Sequence, residues 1–326
     1  MRPRLQKVLS VVAVAGVALV ALLGPGAGAG FTQAQEKPIT VGVVHNLANH
    51  PSIQAIIQGL NDEATHYPIK YVFLDPAYDP QKQVAMIEDL ISQKVDVIAV
   101  NAVDPDAIIP GLKAASDAGI PVVMHNADVS DAGRSYVKTF VSPKLYPQGQ
   151  AVGALAAKDL NCTGNIVIIS GKAGQSGVIE RTQGFKDAVV AACPNGGINY
   201  LAEQYANWAK DEAVNVMQDF LTRYPNIDAV YALDDYMAVG ALQSIDAAGM
   251  KGKIKVYGVG GTKEGCQAIK TGEMQGSAFH FSYLVGVYTA RAAWDVAHGR
   301  PLTPFIEVPT LSLDRNNVDA VSAYCW

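Results

Sequence analysis

Asp234 and Asp235 are the first residues in this 326-residue sequence to weigh for chemistry, because neighbouring carboxylates can share general acid and base work. Their spacing argues against it. Adjacent residues on a strand point to opposite faces, and the turn that follows carries Asp235 into a helix start as its N-cap. Asp234 is left as the ligand candidate, accepting hydrogen bonds from hydroxyl groups.

Arg181 offers five fixed donors that can read two adjacent oxygens or a carboxylate; a surface ion pair with Glu180 is its other reading. Trp208, in Tyr205-Ala206-Asn207-Trp208-Ala209-Lys210, reads as a loop aromatic, either a ligand platform or a half-buried packing residue. His45, His50, His125 and His280 are four of the six histidines. Zinc is one use for them, but no helical His pair accompanies them, and neutral His also serves as a hydrogen-bonding group. Gly171, Gly174 and Gly177 in GKAGQSG lack the Lys-Ser/Thr ending of a phosphate loop, which leaves a strand-to-helix turn. The sequence holds no GxSxG elbow and no Cys/His nucleophile arrangement.

The elements that must position these residues form one repeating pattern. Around Asp234 an apolar run at 227–233, an amphipathic segment to Gly249 and a second apolar run at 254–259 make a strand, helix, strand unit. Strands buried on both faces read as such continuous β-branched runs, and a right-handed crossover then places Asp234 and Gly260 at the carboxyl edge of a parallel sheet. Before it, strands are predicted at 39–44, 69–74, 95–100, 121–125 and 136–141, with helices starting at Pro51 and spanning 81–92 and 106–118. The series restarts with helix 147–160, strand 165–170, helix 177–192, strand 198–202 and helix 211–223. Strand 275–279, helix 283–297 and a strand at 305–313 close it. The expectation is an α/β fold of two doubly wound parallel-sheet lobes, residues 36–141 plus 281–308 and residues 142–280 plus 309–326, joined by a three-segment hinge around a cleft.

Residues 1–30 stand outside that pattern. Arg2, Arg4 and Lys7 precede an apolar run at 8–23 and then Ala27-Gly28-Ala29, which predicts a cleaved secretory signal peptide and a periplasmic location. Its removal leaves 22 Lys and Arg against 30 Asp and Glu, a net charge of −8, which disfavours nucleic acid as a partner. Four cysteines in an exported chain permit disulfides. Cys162 sits before a strand and Cys193 after the next helix, so the two can meet at one end of a unit; Cys266 and Cys325 are the remaining pair, and the spacing fits no zinc site.

Several segments together carry a family resemblance: Asn49-His50-Pro51, Gly174-Gln175-Ser176, Glu180-Arg181-Thr182-Gln183-Gly184-Phe185, Asn215-Val216-Met217-Gln218 and Asp234-Asp235-Tyr236-Met237-Ala238-Val239-Gly240-Ala241. On these the chain resembles, over residues 37–320, the type I periplasmic sugar-binding proteins of ABC transporters, of the ribose-binding kind. The resemblance implies a non-enzymatic, monomeric receptor without cofactor. Such a receptor closes on a sugar or sugar alcohol and delivers it to the membrane permease subunits of an ABC transporter. A sugar acid or other small anion is the alternative ligand, and a secreted sugar-acting enzyme the alternative function.

By position the resemblance places ligand contacts at Asn46, His50, Ser52 and Ile53, where the family has a small polar group, an Asn and two stacking aromatics. It places others at His125 and Asn126, near the family's Asp and Arg. Arg181 matches a hydroxyl-binding Arg and Trp208 an aromatic on the sugar face. Asp234 stands for an Asn, Gly260 for a ligand-binding Asp and His280 for a Gln. These changes leave the fold expectation standing and ribose unsupported as the ligand. Sugar-responsive transcription regulators resemble the same fold, but carry an N-terminal DNA-binding unit where this chain has an export signal.

Overall fold

The computed structural model describes residues 37–326, so the export signal expected at 1–30 lies outside the described residues. Two six-stranded sheets account for the strands. The first contains β1 (Ile39–Val44), β2 (Ile69–Leu74), β3 (Val97–Val100), β4 (Val122–His125) and β5 (Thr139–Ser142). Helices α1 (Pro51–Glu63), α2 (Pro80–Ser92) and α3 (Ile109–Asp117) connect its first four strands. The second contains β6 (Gly164–Ser170), β7 (Ile198–Tyr205), β8 (Ala229–Ala232), β9 (Lys255–Gly260) and β10 (Gly276–His280). Around it run α4 (Leu145–Asp159), α5 (Ser176–Ala192), α6 (Lys210–Arg223), α7 (Asp235–Ala247) and α8 (Lys263–Thr271). Helix α9 (Ser282–Ala297), strands β11 (Phe305–Glu307) and β12 (Thr310–Asp314) and helix α10 (Val318–Val321) follow.

Strand order is β11-β5-β4-β3-β1-β2 in the first sheet and β12-β10-β9-β8-β6-β7 in the second, so the same winding is built twice. All pairings are parallel except β10 with β12. The order reverses between β1 and β3 and again between β6 and β8, and open α/β sheets take ligands at the carboxyl ends beside such reversals. The central strands explain why the pattern was readable. Every residue of β3, β4 and β8 is buried, whereas edge strand β2 is only partly so.

The chain passes between the sheets three times: from β5 into α4, which packs on α5, β9 and β10; from β10 into α9, which packs on α1 and β3; and from β11 to β12. The 305–313 stretch, expected as one strand, is therefore two short strands on different sheets. Pro309 between them has no N–H to offer a ladder, which ends the first strand. Disulfides join Cys162 to Cys193 and Cys266 to Cys325.

Candidate functional site

The carboxyl ends of both sheets face one cavity with about 600 Å³ of space not filled by protein atoms, part of it open to solvent. That is the size of a small-molecule site. Asn46, His50, Ser52 and Ile53 reach its wall from the β1–α1 connection, and Asn126 and Ala127 from the end of β4. The second lobe supplies Arg181 from α5, Trp208 from the β7–α6 loop, Asp234 from the end of β8 and His280 from the end of β10. Nine of the eleven expected contacts are thus brought together.

Two are not. His125 is fully buried at the end of β4, its ring centre 5.7 Å from that of His45 in an edge-on arrangement. Asn126, next in the chain, turns through a left-handed φ of 61° to the cavity wall instead. Gly260 has no side chain to present; its φ of 147° belongs to glycine, and Val259 lines the cavity in its neighbourhood.

Arg181 is 7% exposed and makes no described hydrogen bond to Glu180. Its Nε donates to Gln148 Oε1 at 2.9 Å and its Nη1 to the Leu233 carbonyl at 2.9 Å. Both partners are neutral, so they fix the guanidinium plane without consuming its charge. No described hydrogen bond uses Nη2, which leaves donors on a residue that borders the cavity. Burial pulls its pKa down, opposed by Tyr231, Asp234 and Asp235, and the group stays cationic. Its carbon Cζ lies 5.8 Å from the Trp208 ring centre.

Asp234 caps α7, its Oδ1 accepting from the Met237 amide at 2.7 Å. The capping role expected for Asp235 therefore belongs to Asp234. Asp235 is instead buried beneath the 260–262 loop, taking the Gly261 amide at 2.6 Å and the Ser277 hydroxyl at 2.7 Å. Burial pushes its pKa up to about 7, against the Ser277 hydrogen bond. The other Asp234 oxygen meets His50 Nε2 at 3.1 Å across the cleft, while His50 Nδ1 contacts Ser52 Oγ at 2.8 Å. Asn46 Oδ1 accepts from Leu47 N and Asn101 Nδ2, leaving its amide nitrogen unused by any described bond.

Trp208 adopts a left-handed φ of 61° and lays its ring where a Cβ on Gly171 would stand, so Gly171 is the floor that admits it. Gln175 orients that ring, its Oε1 accepting from Trp208 Nε1 at 2.6 Å, while its Nε2 donates across the cleft to the Val103 carbonyl at 2.9 Å. Lys172 crosses as well, donating to the Tyr78 carbonyl at 3.3 Å. The lobes are therefore shut on each other by hydrogen bonds.

Tyr78, Gln175 and Trp326 are wall residues that sequence reasoning missed. Gln175 lay inside a quoted motif, and Tyr78 sits at a φ of 61° in the β2–α2 loop, but neither carries a signal of its own. Trp326 arrives through the Cys266–Cys325 bond, which spans 59 residues of sequence.

Burial pushes the His280 pKa down to about 3, helped by Arg181 and His50, and that of His45 down to about 4 despite Asp75. His125 is lowered too, by burial and then by His45. His45, His125 and His280 are thereby held in the neutral form at pH 7. Among the described residues no group of three His, Cys, Asp or Glu side chains is placed to hold a metal ion. Folded and unfolded chains then differ in proton uptake: below pH 6.5 the unfolded state protonates these histidines and the folded state does not, so stability falls with pH. Asp235, raised to about 7, works the other way between pH 7 and its ordinary value. With three depressed histidines against one raised acid, the melting temperature should drop between pH 6.5 and 4 and stay level from 6.5 to 7.5. A flat profile down to pH 4 in differential scanning calorimetry would refute the neutral assignment.

Residues 41–301 match the family described as periplasmic binding protein domain. The ribose import binding protein of Escherichia coli (strain K12) is 30% identical over 80% of this chain and 85% of its own length. The xylitol-binding protein of Mycolicibacterium smegmatis is 33% identical, covering 82% of this chain and 74% of that protein. A solved ABC transporter solute binding protein from Bacillus halodurans with bound myo-inositol superposes with a TM-score of 0.82 at 27% identity, over 88% of this chain and 98% of that one.

Proposed function

This chain belongs to the periplasmic binding protein domain family, and on that premise we propose that it is the solute receptor of an ABC importer for a neutral sugar or sugar alcohol. The observation that carries the reading is the charge balance of the cavity. One buried cation, Arg181, and one carboxylate, Asp234, face it among neutral donors, with His280 uncharged. A polyhydroxylated ligand can pair with each of these, and an unpaired buried polar group costs about 1 to 3 kcal/mol. A sugar acid would find Arg181 already opposed by Asp234. Trp208 supplies the flat apolar surface that a sugar ring or polyol chain covers.

On this reading residues 36–141 plus 281–308 and residues 142–280 plus 309–326 move as two bodies. The ligand holds them shut by its differential contacts with the closed form. The chain is exported to the periplasm by the signal at 1–30, binds without catalysing a reaction, and passes its ligand to permease subunits.

A thermal-shift screen tests this. A neutral monosaccharide or polyol at a hundred times its Kd should add about 2.7 kcal/mol of stability, or roughly 5 to 10 °C in melting temperature. A shift with sugar acids and none with neutral members would overturn the ligand class. Turnover of a glycoside by the purified protein would overturn the receptor.

A further inference from the structure

Trp326 reaches the cavity differently from every other wall residue. It belongs to no sheet end, and is held by the 261–266 segment: its N–H donates to the Gly261 carbonyl at 3.0 Å, its carbonyl accepts from Lys263 N at 2.7 Å, and neighbouring Cys325 is bonded to Cys266. Its indole Nε1 donates to the His280 carbonyl at 3.2 Å, and the ring centre lies 5.8 Å from that of His280. A side chain at Gly260 would grow toward it, since a Cβ there would stand 3.5 Å from the Trp326 ring. The indole therefore stands just beyond Gly260, at ordinary contact distance from where a Cβ would be.

Its position relative to the outside is the second observation. A separate surface groove is lined on the first lobe by the exposed side of α1, at Pro51, Gln54 and Gln58 among others, and on the second by Lys263 and Trp326. Among the described residues, Trp326 alone borders both this groove and the inner cavity. Trp326 therefore lies where the two spaces come together.

We propose that Trp326 is a tethered gate that sets the size of the ligand: it ends the cavity, contacts the bound molecule, and confines the site to a single sugar or polyol unit. The inference rests on the receptor reading above. The disulfide and the two backbone bonds hold the indole in place before binding, so little ordering cost falls on the ligand. With the ring removed, the inner cavity and the α1 groove become one longer cleft that admits a second sugar unit.

The test measures binding by isothermal titration calorimetry with myo-inositol, xylitol and D-ribose as small probes and the methyl ribosides and common disaccharides as long ones. The proteins are the parent, Trp326→Ala, Trp326→Phe, and the Cys266→Ser/Cys325→Ser and Cys162→Ser/Cys193→Ser double variants. Trp326→Ala should weaken the small probe that the parent prefers by about tenfold to hundredfold, the loss expected for one aromatic contact, and should gain a long probe that the parent rejects. Trp326→Phe should keep the size limit. The Cys266/Cys325 pair should shift selectivity as Trp326→Ala does, whereas the Cys162/Cys193 pair, bonded behind β6 and α5, should not. Parent binding with unchanged affinity and size preference in Trp326→Ala overturns the gate alone. A parent that binds none of the neutral probes overturns the receptor reading and the gate with it. Circular dichroism and melting of each variant confirm that the proteins compared are folded.

Discussion

Arg181→Ala should abolish the ligand-induced rise in melting temperature while leaving a folded apo protein. In the parent, Arg181 is buried between Gln148, the Leu233 carbonyl and the cavity. A ligand oxygen that meets its remaining donors forms a charge-assisted hydrogen bond where water is largely excluded. Removing one partner of such a pair costs about 2 to 5 kcal/mol, or roughly 30-fold to several thousand-fold in Kd. The apo state loses less, because Gln148 and Leu233 border the emptied space and water can enter it, and because a buried cation is itself costly to hold. Arg181→Lys keeps the charge but not the planar fork, and should recover only a minor part of the affinity. The measurement is calorimetric titration with whichever neutral probe stabilises the parent. Binding by Arg181→Ala within threefold of the parent would remove Arg181 from the site.

Much of this arrangement was legible in the sequence, for physical reasons that also mark where reading stopped. Parallel strands buried on both faces leave continuous runs such as Val97–Val100 and Ala229–Ala232, and the polar residue that ends each run must lie at the sheet edge where ligands bind. Asp234 was found that way, whereas Asn46 and His280 came from the family resemblance. His125 shows the limit, because the last residue of a strand still obeys the two-residue alternation and points into the core, leaving the wall to Asn126. The Asp234–Asp235 assignment inverted for a similar reason. The turn begins one residue earlier than the apolar run suggests, so Asp234 caps the helix while Asp235 sinks beneath Gly261. Trp326 was out of reach because its place depends on a covalent bond between distant cysteines, and residue spacing gave no reason to bring it to the cavity.

The largest loss of stability should come from Gly149→Ala. A Cβ at Gly149 would fall well inside contact distance of the Arg181 carbonyl and the Phe185 backbone, and the neighbouring Gly153 and Gly184 make the same kind of approach between α4 and α5. The atoms met are backbone, so no rotamer change relieves the overlap, and the two helices must move apart. Overpacking of a core costs about 1 to 3 kcal/mol even when side chains can yield. Alanine in a helix returns about 1 kcal/mol of that relative to glycine. With backbone on both sides, a net loss of about 3 kcal/mol is expected, read as a lower denaturant midpoint at unchanged slope. Gly111→Ala in α3 is the contrast, because its Cβ would meet the flexible end of Ile87 at 3.1 Å, and its stability should change by less than about 1 kcal/mol. The two sites also differ in function. Gln148, which fixes Arg181, precedes Gly149 on α4, while Arg181 rides on α5. Any separation of those helices that Gly149→Ala forces also pulls the guanidinium from its seat, so affinity should fall with stability there and hold in Gly111→Ala. Equal midpoints for the two variants would show that α4 and α5 are not held together by this glycine contact.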